Sequence, residues 1–162
     1  MLSKIPKIDI LINNAGVIRR GTIFESTEKE FDLLFDVNVK GSWLMIREAK
    51  EKLSEKAIIV QISSGHALRP GSDPGIYTLT KQTTLNLANM IELTCPNYLV
   101  KVVCPGPVNT PLARYGRTKK DVQRIIKISH KPKYVASKII ELLESNKRKL
   151  LFEPKSWDYI FE

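Results

Sequence analysis

The sequence predicts an α/β fold in which a parallel sheet is covered by helices. Three observations lead there. Short, nearly continuous apolar runs recur at 8–12 (IDILI), 57–62 (AIIVQI) and 99–104 (LVKVVC), the pattern of strands buried on both faces. The stretches between them carry apolar residues at helical spacing. Each run ends abruptly in a polar or Gly/Pro cluster: Asn13-Asn14-Ala15-Gly16, Ser63-Ser64 and Pro105-Gly106-Pro107. Strand and helix alternating at these lengths form right-handed βαβ units, and such sheets bind ligands at the carboxyl ends of their strands.

The elements follow in order. After the first strand, Asn and Gly tolerate unusual backbone angles, and Ala15 and Gly16 leave room for a flat group to approach the main chain. Ser26 or Thr27 reads as a helix cap, with Glu28 and Glu30 in the first turn. From there to about Lys52, Phe31, Leu34, Phe35, Val39, Leu44, Met45 and Ala49 recur at helical spacing. Asn38 falls in mid-helix, where its side chain competes for backbone hydrogen bonds, and Gly41 follows, so a local kink is expected. The second strand delivers Ser63 and Ser64, and a Gly/Pro/Ser-rich loop is expected over 66–75. Helix resumes near Ile76 and runs past Glu92 until Cys95-Pro96 stops it. After the third strand, helices are expected at about 118–128 and 132–145, and a last short strand at 150–152. The tail, 154–162, carries Trp157, Tyr159, Ile160 and Phe161 and is expected to fold back onto the body. The chain thus divides into a main domain at 1–153 and an aromatic tail at 154–162.

With 162 residues there is enough chain for one domain with a sizeable core. An apolar fraction of 43% and a charged fraction of 27% are ordinary for a soluble globular protein. No apolar run reaches membrane-spanning length, and the N-terminus lacks the layout of a signal peptide, so a cytoplasmic location and no membrane partner are expected. Cys95 and Cys104 show no metal-ligand spacing and no metal is expected; the two read as reduced thiols, although a pair is possible in principle. The net charge of +9 raises a nucleic-acid reading, but the basic residues are spread widely, thickening only at 114–133 and 147–149. No zinc ligands, helix-turn-helix pattern or RNA-binding aromatics accompany them, so no nucleic-acid partner is expected. The basic stretch after Thr110 would attract an acidic substrate or the phosphates of a cofactor.

The chemistry concentrates in 61–82, QISSGHALRPGSDPGIYTLTKQ. Ser64 precedes Tyr77 by thirteen positions, and Tyr77 precedes Lys81 by four. On a helix, residues four apart share a face, so the lysine ammonium would sit beside the phenol and favour its ionised form. A hydroxyl tuned towards neutrality exchanges protons at physiological pH. Ser64, at a strand end, could hydrogen-bond the same oxygen that the tyrosine protonates. These parts suit the interconversion of a carbonyl and an alcohol. His66, on the following loop, reads as a loop histidine and stands outside this set.

In these features the sequence resembles the short-chain dehydrogenase/reductase family. The motifs that carry the resemblance are Asn13-Asn14-Ala15-Gly16 ending a strand, Asn38 in the next helix, Ser64 with Tyr77 and Lys81, and Pro105-Gly106 followed by Thr110. It covers nearly the whole chain up to about Ser145. The resemblance implies a Rossmann-like sheet, the C-terminal part of the doubly wound fold, with strands equivalent to its fourth through seventh. It implies hydride transfer between an alcohol or carbonyl substrate and NAD or NADP. Tyr77 would be the general acid/base, and Lys81 would lower its pKa and hold the nicotinamide ribose. Ser64 would polarise the carbonyl, and Asn38 would hold a water in the relay behind Lys81. Asn14, Ala15 and Gly16 would lie against the adenosine side of the cofactor. Pro105, Gly106 and Thr110 would flank the nicotinamide, with Thr110 bonding its carboxamide.

The sequence also departs from the family pattern. No Thr-Gly-x-x-x-Gly-x-Gly turn for the pyrophosphate is present, nor the residue that separates NAD from NADP. The chain opens just before the fourth strand of that fold, which implies truncation at the N-terminus. Residues 147–162 are basic and then aromatic where the family has a short apolar strand ending in Asp-Gly-Gly. The first strand would present a bare apolar edge, so self-association through it, or a homo-oligomer, is expected. The segment after Thr110 is short, which implies a compact or open pocket. Residues 1–162 alone are expected to bind NADH or NADPH weakly at best, with no measurable activity. The rival expectation is a non-catalytic remnant or interaction module that keeps the site residues and cannot hold cofactor.

Overall fold

The computed structural model describes residues 5–162. A five-stranded sheet in the order β1-β2-β3-β4-β5 runs through the molecule. Strands β1 (Ile8–Asn13), β2 (Leu53–Ile62), β3 (Leu99–Cys104) and β4 (Lys149–Glu153) are parallel. β5 (Asp158–Phe161) pairs antiparallel with β4. The register sets Asn13 beside Gln61 and Ile62 beside Val103, so the carboxyl ends of β1, β2 and β3 finish side by side. That alignment brings three polar strand ends together. The α/β class read from the apolar runs and their spacing is therefore the observed one.

Both faces of the sheet are covered over β2, β3 and β4, as a parallel sheet requires, while β1 keeps one face open. Strand side chains alternate between the two. On one face Val60, Ile62, Val103, Leu150 and Phe152 pack with Val135 and Leu142 of helix α7 (Pro132–Glu144). On the other, Ile59, Val100, Val102 and Cys104 pack with Ala88 and Ile91 of the 20-residue helix α4 (Gly75–Thr94). Cys104 is buried and Cys95 partly so, and both are free thiols. A third cluster, Ile18, Leu34, Ile76 and Tyr77, joins the loop after β1 to the start of α4 and to helix α1 (Glu28–Phe35).

Several local features differ from the sequence expectation. Thr27 caps α1 in a capping box with Glu30, but the helix expected to run on to Lys52 is interrupted. A π-helical turn over Asp36–Lys40 separates α1 from α2 (Gly41–Ala49). Its centre is Asn38, whose side chain bonds outside the helix, and such turns are common at functional positions. β2 starts four residues earlier than its apolar run, because the polar stretch from Leu53 still extends alongside β1. The expected loop after Ser64 begins as a short helix, α3 (Gly65–Leu68), because the Ser64 hydroxyl accepts from the His66 amide and caps it. Another short helix, α5 (Pro111–Arg114), follows Thr110, and α6 (Lys119–Ile128) follows Thr118. The tail does more than fold back: β5 extends the sheet, and the Trp157 indole donates to the Ile128 carbonyl at 2.8 Å.

Lys101 lies in mid-strand and is buried. Its ammonium donates to the carbonyls of Leu142, Ser145 and Lys147 at 2.7–2.9 Å. A cation thus closes the C-terminus of α7, where the helix dipole is negative and carbonyls lack intrahelical partners. On the β1 edge no such cover exists among the described residues. Ile10 and Ile12 remain 47% exposed.

Candidate active site

A cavity of about 630 Å³ opens at the carboxyl ends of the strands. Its lining includes Asn14, Gly16, Ser64, Tyr77, Lys81, Pro105, Gly106 and Thr110 from the sequence-derived set. Each arrives there for a local reason. Ser64 ends the extension of β2 and caps α3, while Tyr77 and Lys81 sit one turn apart on the first turns of α4. Gly106 has no room for a side chain: a Cβ there would fall 2.4 Å from the Phe152 ring. Thr110 caps α5, accepting from the Ala113 amide at 3.4 Å.

Two residues of the set stand apart. Ala15 lines a separate surface depression with Ile12, Val37 and Met45, which Asn14 shares. Asn38 lies beneath the cavity, buried, with its side chain fully engaged by protein. Its amide donates to the Val17 carbonyl and the Thr80 hydroxyl, each at 3.0 Å, and its oxygen accepts from the Val17 amide at 2.8 Å. It therefore ties the loop after β1 to α4. The Asn38 backbone carbonyl accepts from Ser42 Oγ at 3.0 Å. Asn13, the last residue of β1, is likewise internal, donating to Gln61 at 3.3 Å.

Lys81 is buried, with its ammonium 3.0 Å from the Ile62 carbonyl, its one hydrogen-bond acceptor among the described residues. Burial pushes its pKa down to about 8. The ammonium lies over the Tyr77 ring, 5.8 Å from the centroid. It does not act on the phenol as the spacing argument expected. Burial raises the pKa of the Tyr77 hydroxyl, and the contributions that pull it down come from the neighbouring Ser64 hydroxyl and the charge of Arg20. The reason is geometric: the lysine passes the ring to reach a strand carbonyl. Sequence position gave no sign of Arg20, which enters from the loop after β1.

His66, set aside on the sequence, lines the cavity on α3 with its ring edge-on to Tyr77 at 6.2 Å. Burial lowers its pKa, with the Arg20 charge adding to the effect, so the neutral imidazole is favoured. Its placement depends on the Ser64 cap, a signal present in the sequence as a serine two residues before it.

The family model for short chain dehydrogenases matches residues 1–121. The chain belongs to the short-chain dehydrogenase family. An uncharacterized oxidoreductase of Thermotoga maritima is 35% identical over 104 residues, covering 62% of this chain and 41% of the relative. Oxidoreductase UcpA of Escherichia coli is 33% identical over 112 residues, covering 66% of this chain and 43% of the relative. The chain thus spans less than half the length of these two relatives. In fold it is similar to a short-chain dehydrogenase/reductase of Burkholderia phymatum solved in complex with NAD. The two share a TM-score of 0.79 at 23% identity, over 95% of this chain and 64% of that one.

Among the described residues, the nicotinamide end of a family cofactor finds a fitting donor set. The Lys81 ammonium has one protein acceptor and N–H groups left for a hydroxyl, and it lies 3.6 Å from where a Cβ of Gly16 would stand. Glycine at that position keeps the approach to Lys81 and Asn38 open.

Proposed function

We propose that this chain is the catalytic part of an NAD- or NADP-dependent oxidoreductase that interconverts an alcohol and a carbonyl. The observation that carries this reading is the meeting of Ser64, Tyr77 and Lys81 in one cavity at the strand ends. Family membership and the NAD-bound fold relative support it. A nicotinamide held there by Lys81 would supply the hydride for the carbonyl carbon, or accept one from the alcohol carbon.

The rest is the work of side chains. In reduction, the Tyr77 hydroxyl donates its proton to the carbonyl oxygen as the C–H bond forms; in oxidation it takes the proton back. Its raised pKa favours the protonated form at neutral pH, ready for the reductive direction. Ser64 Oγ hydrogen-bonds the same substrate oxygen and orients it. The spare N–H groups of Lys81 would hold the ribose hydroxyls of such a cofactor. Asn38 acts at one remove, fixing α4 against the loop after β1. Asn14, with Ala15 beyond it, would face the adenosine side, Gly16 the nicotinamide ribose beside Lys81, and Pro105, Gly106 and Thr110 the nicotinamide.

A second reading has its own observation. The sequence holds no glycine-rich turn for the pyrophosphate, which favours a chain that keeps the site residues without binding cofactor by itself. One experiment separates the two. Residues 1–162 are placed behind the glycine-rich half of a characterised family member. The hybrid is then given aldehydes and ketones with cofactor deuterated at C4. Deuterium on the carbinol carbon of the product supports the catalytic reading. Its absence with every carbonyl tried, in a hybrid that binds cofactor, favours the second.

A further inference from the structure

The cavity is charged in one sense only. Arg20, Arg69, Lys81 and Arg117 line it, and among the described lining residues none is Asp or Glu. These cations are not equivalent. Lys81 sits at the nicotinamide end of the proposed site. Arg69 is compensated, donating to the Phe152 carbonyl at 3.1 Å and lying 3.5 Å from the Glu153 carboxylate. Arg20 and Arg117 are different. Both converge on one acceptor, the carbonyl of Ala113, which takes Arg20 Nη2 at 3.4 Å and Arg117 Nε at 2.9 Å.

Two guanidiniums drawn to one neutral oxygen repel each other, and the Arg20 side chain is only 16% exposed. The carboxylate paired with it is Asp73, at a loose 3.9 Å, and the other Asp73 oxygen is taken by the Gly21 amide at 2.7 Å. The fold nevertheless holds Arg20 in place. Its Nε donates to the Tyr115 carbonyl at 3.3 Å, and Gly116, at φ +67°, lets the chain close over it. A Cβ at Gly116 would fall 2.8 Å from Arg20 Cγ. A partly buried, like-charged pair fixed at a cavity wall is a receptor for an anion, and guanidinium suits carboxylate and phosphate alike. The pair lines the same cavity as Ser64, His66 and Tyr77, and the Arg20 charge acts on both His66 and Tyr77.

We propose that the site takes an oxo compound bearing an anionic group, a carboxylate or a phosphate, held by Arg20 and Arg117 while its carbonyl faces Tyr77 and Ser64. This rests on the oxidoreductase reading above and names its substrate class. Reduction would then add a hydride from NADH or NADPH to the carbonyl carbon and the Tyr77 proton to its oxygen. The product is the hydroxy anion, and the cofactor leaves oxidised.

The test is binding to residues 1–162, followed by titration calorimetry and by amide chemical shifts. Acetoacetate and 4-oxopentanoate are each compared with their methyl esters, and dihydroxyacetone phosphate with dihydroxyacetone. At least one anion should bind tenfold or more tightly than its neutral counterpart, and the better arm tells carboxylate from phosphate. Arg20→Gln and Arg117→Gln, each checked for a native amide spectrum, should bring the anion down to the neutral level. Tyr77→Phe should keep the preference. The proposal is overturned if no anion binds at millimolar concentration, if ester and acid bind alike, or if both arginine variants keep the preference. It is also overturned if Arg20→Gln weakens NADH and leaves the oxo anions unchanged, because the pair would then serve cofactor phosphates. An arginine-dependent preference in a protein whose hybrid transfers no deuterium would sink the catalytic reading alone.

Discussion

At the level of single residues, burial decides the electrostatics of the site, and burial is what spacing along a chain does not reveal. Tyr77 and Lys81, four apart on a helix, were readable as partners. That the phenol's pKa rises and the lysine's falls to about 8 follows from the walls around them. Below pH 8 Lys81 is charged both folded and unfolded, and the folded state bears the whole desolvation penalty, on the order of 3 kcal/mol. Between about 8 and 10.5 the folded protein gives up the proton first, so stability rises with pH; above that window the penalty is gone. Lys81→Met removes it at every pH. Thermal melts should therefore show the variant's advantage over wild type shrinking steadily across that window. A constant difference would mean the ammonium is well solvated. Arg20 was not singled out in the sequence and His66 was set aside for a related reason: each joins the Tyr77 cavity only through the fold, and neither belongs to a spaced motif.

Strands and helices were easier to foresee than their joints. The three apolar runs became β1, β2 and β3, β2 starting four residues early, because a run of apolar, β-branched residues has few ways to hide its composition. The π turn at Asp36–Lys40 was announced only by Asn38, a poor helix former in mid-helix. β5 was hidden because its four residues have their partner only once β4 is formed. Lys101 is the clearest case of an element explaining a residue. In sequence it interrupts an apolar run, and in the fold it is the C-terminal clasp of α7. Lys101→Met keeps the length of the side chain and leaves three carbonyls without their donor. The expected loss is about 2–4 kcal/mol, read as a lower urea midpoint, with amide exchange fastest at the end of α7. An unchanged midpoint would show that water replaces the ammonium freely.

At the scale of the whole molecule, the sheet among the described residues is finished on one side and bare on the other. β5 closes the β4 side with Tyr159 in the core, whereas β1 leaves Ile10 and Ile12 half exposed beside unpaired backbone groups. Residues 1–162 should self-associate with rising concentration in sedimentation, and Ile10→Lys should reduce this; a monomer at all concentrations contradicts it. Residues 1–162 hold no glycine-rich turn, so NADH and NADPH should bind them no tighter than high micromolar by calorimetry. Both expectations leave the central claim untouched, which is that Tyr77 moves the proton. Its most direct test is Tyr77→Phe in the hybrid that carries a glycine-rich half, since the change removes one hydroxyl and keeps the ring. The account predicts that kcat falls by about two orders of magnitude or more while the dissociation constant for cofactor changes little. Turnover near the wild-type rate would contradict it and assign the proton to another group.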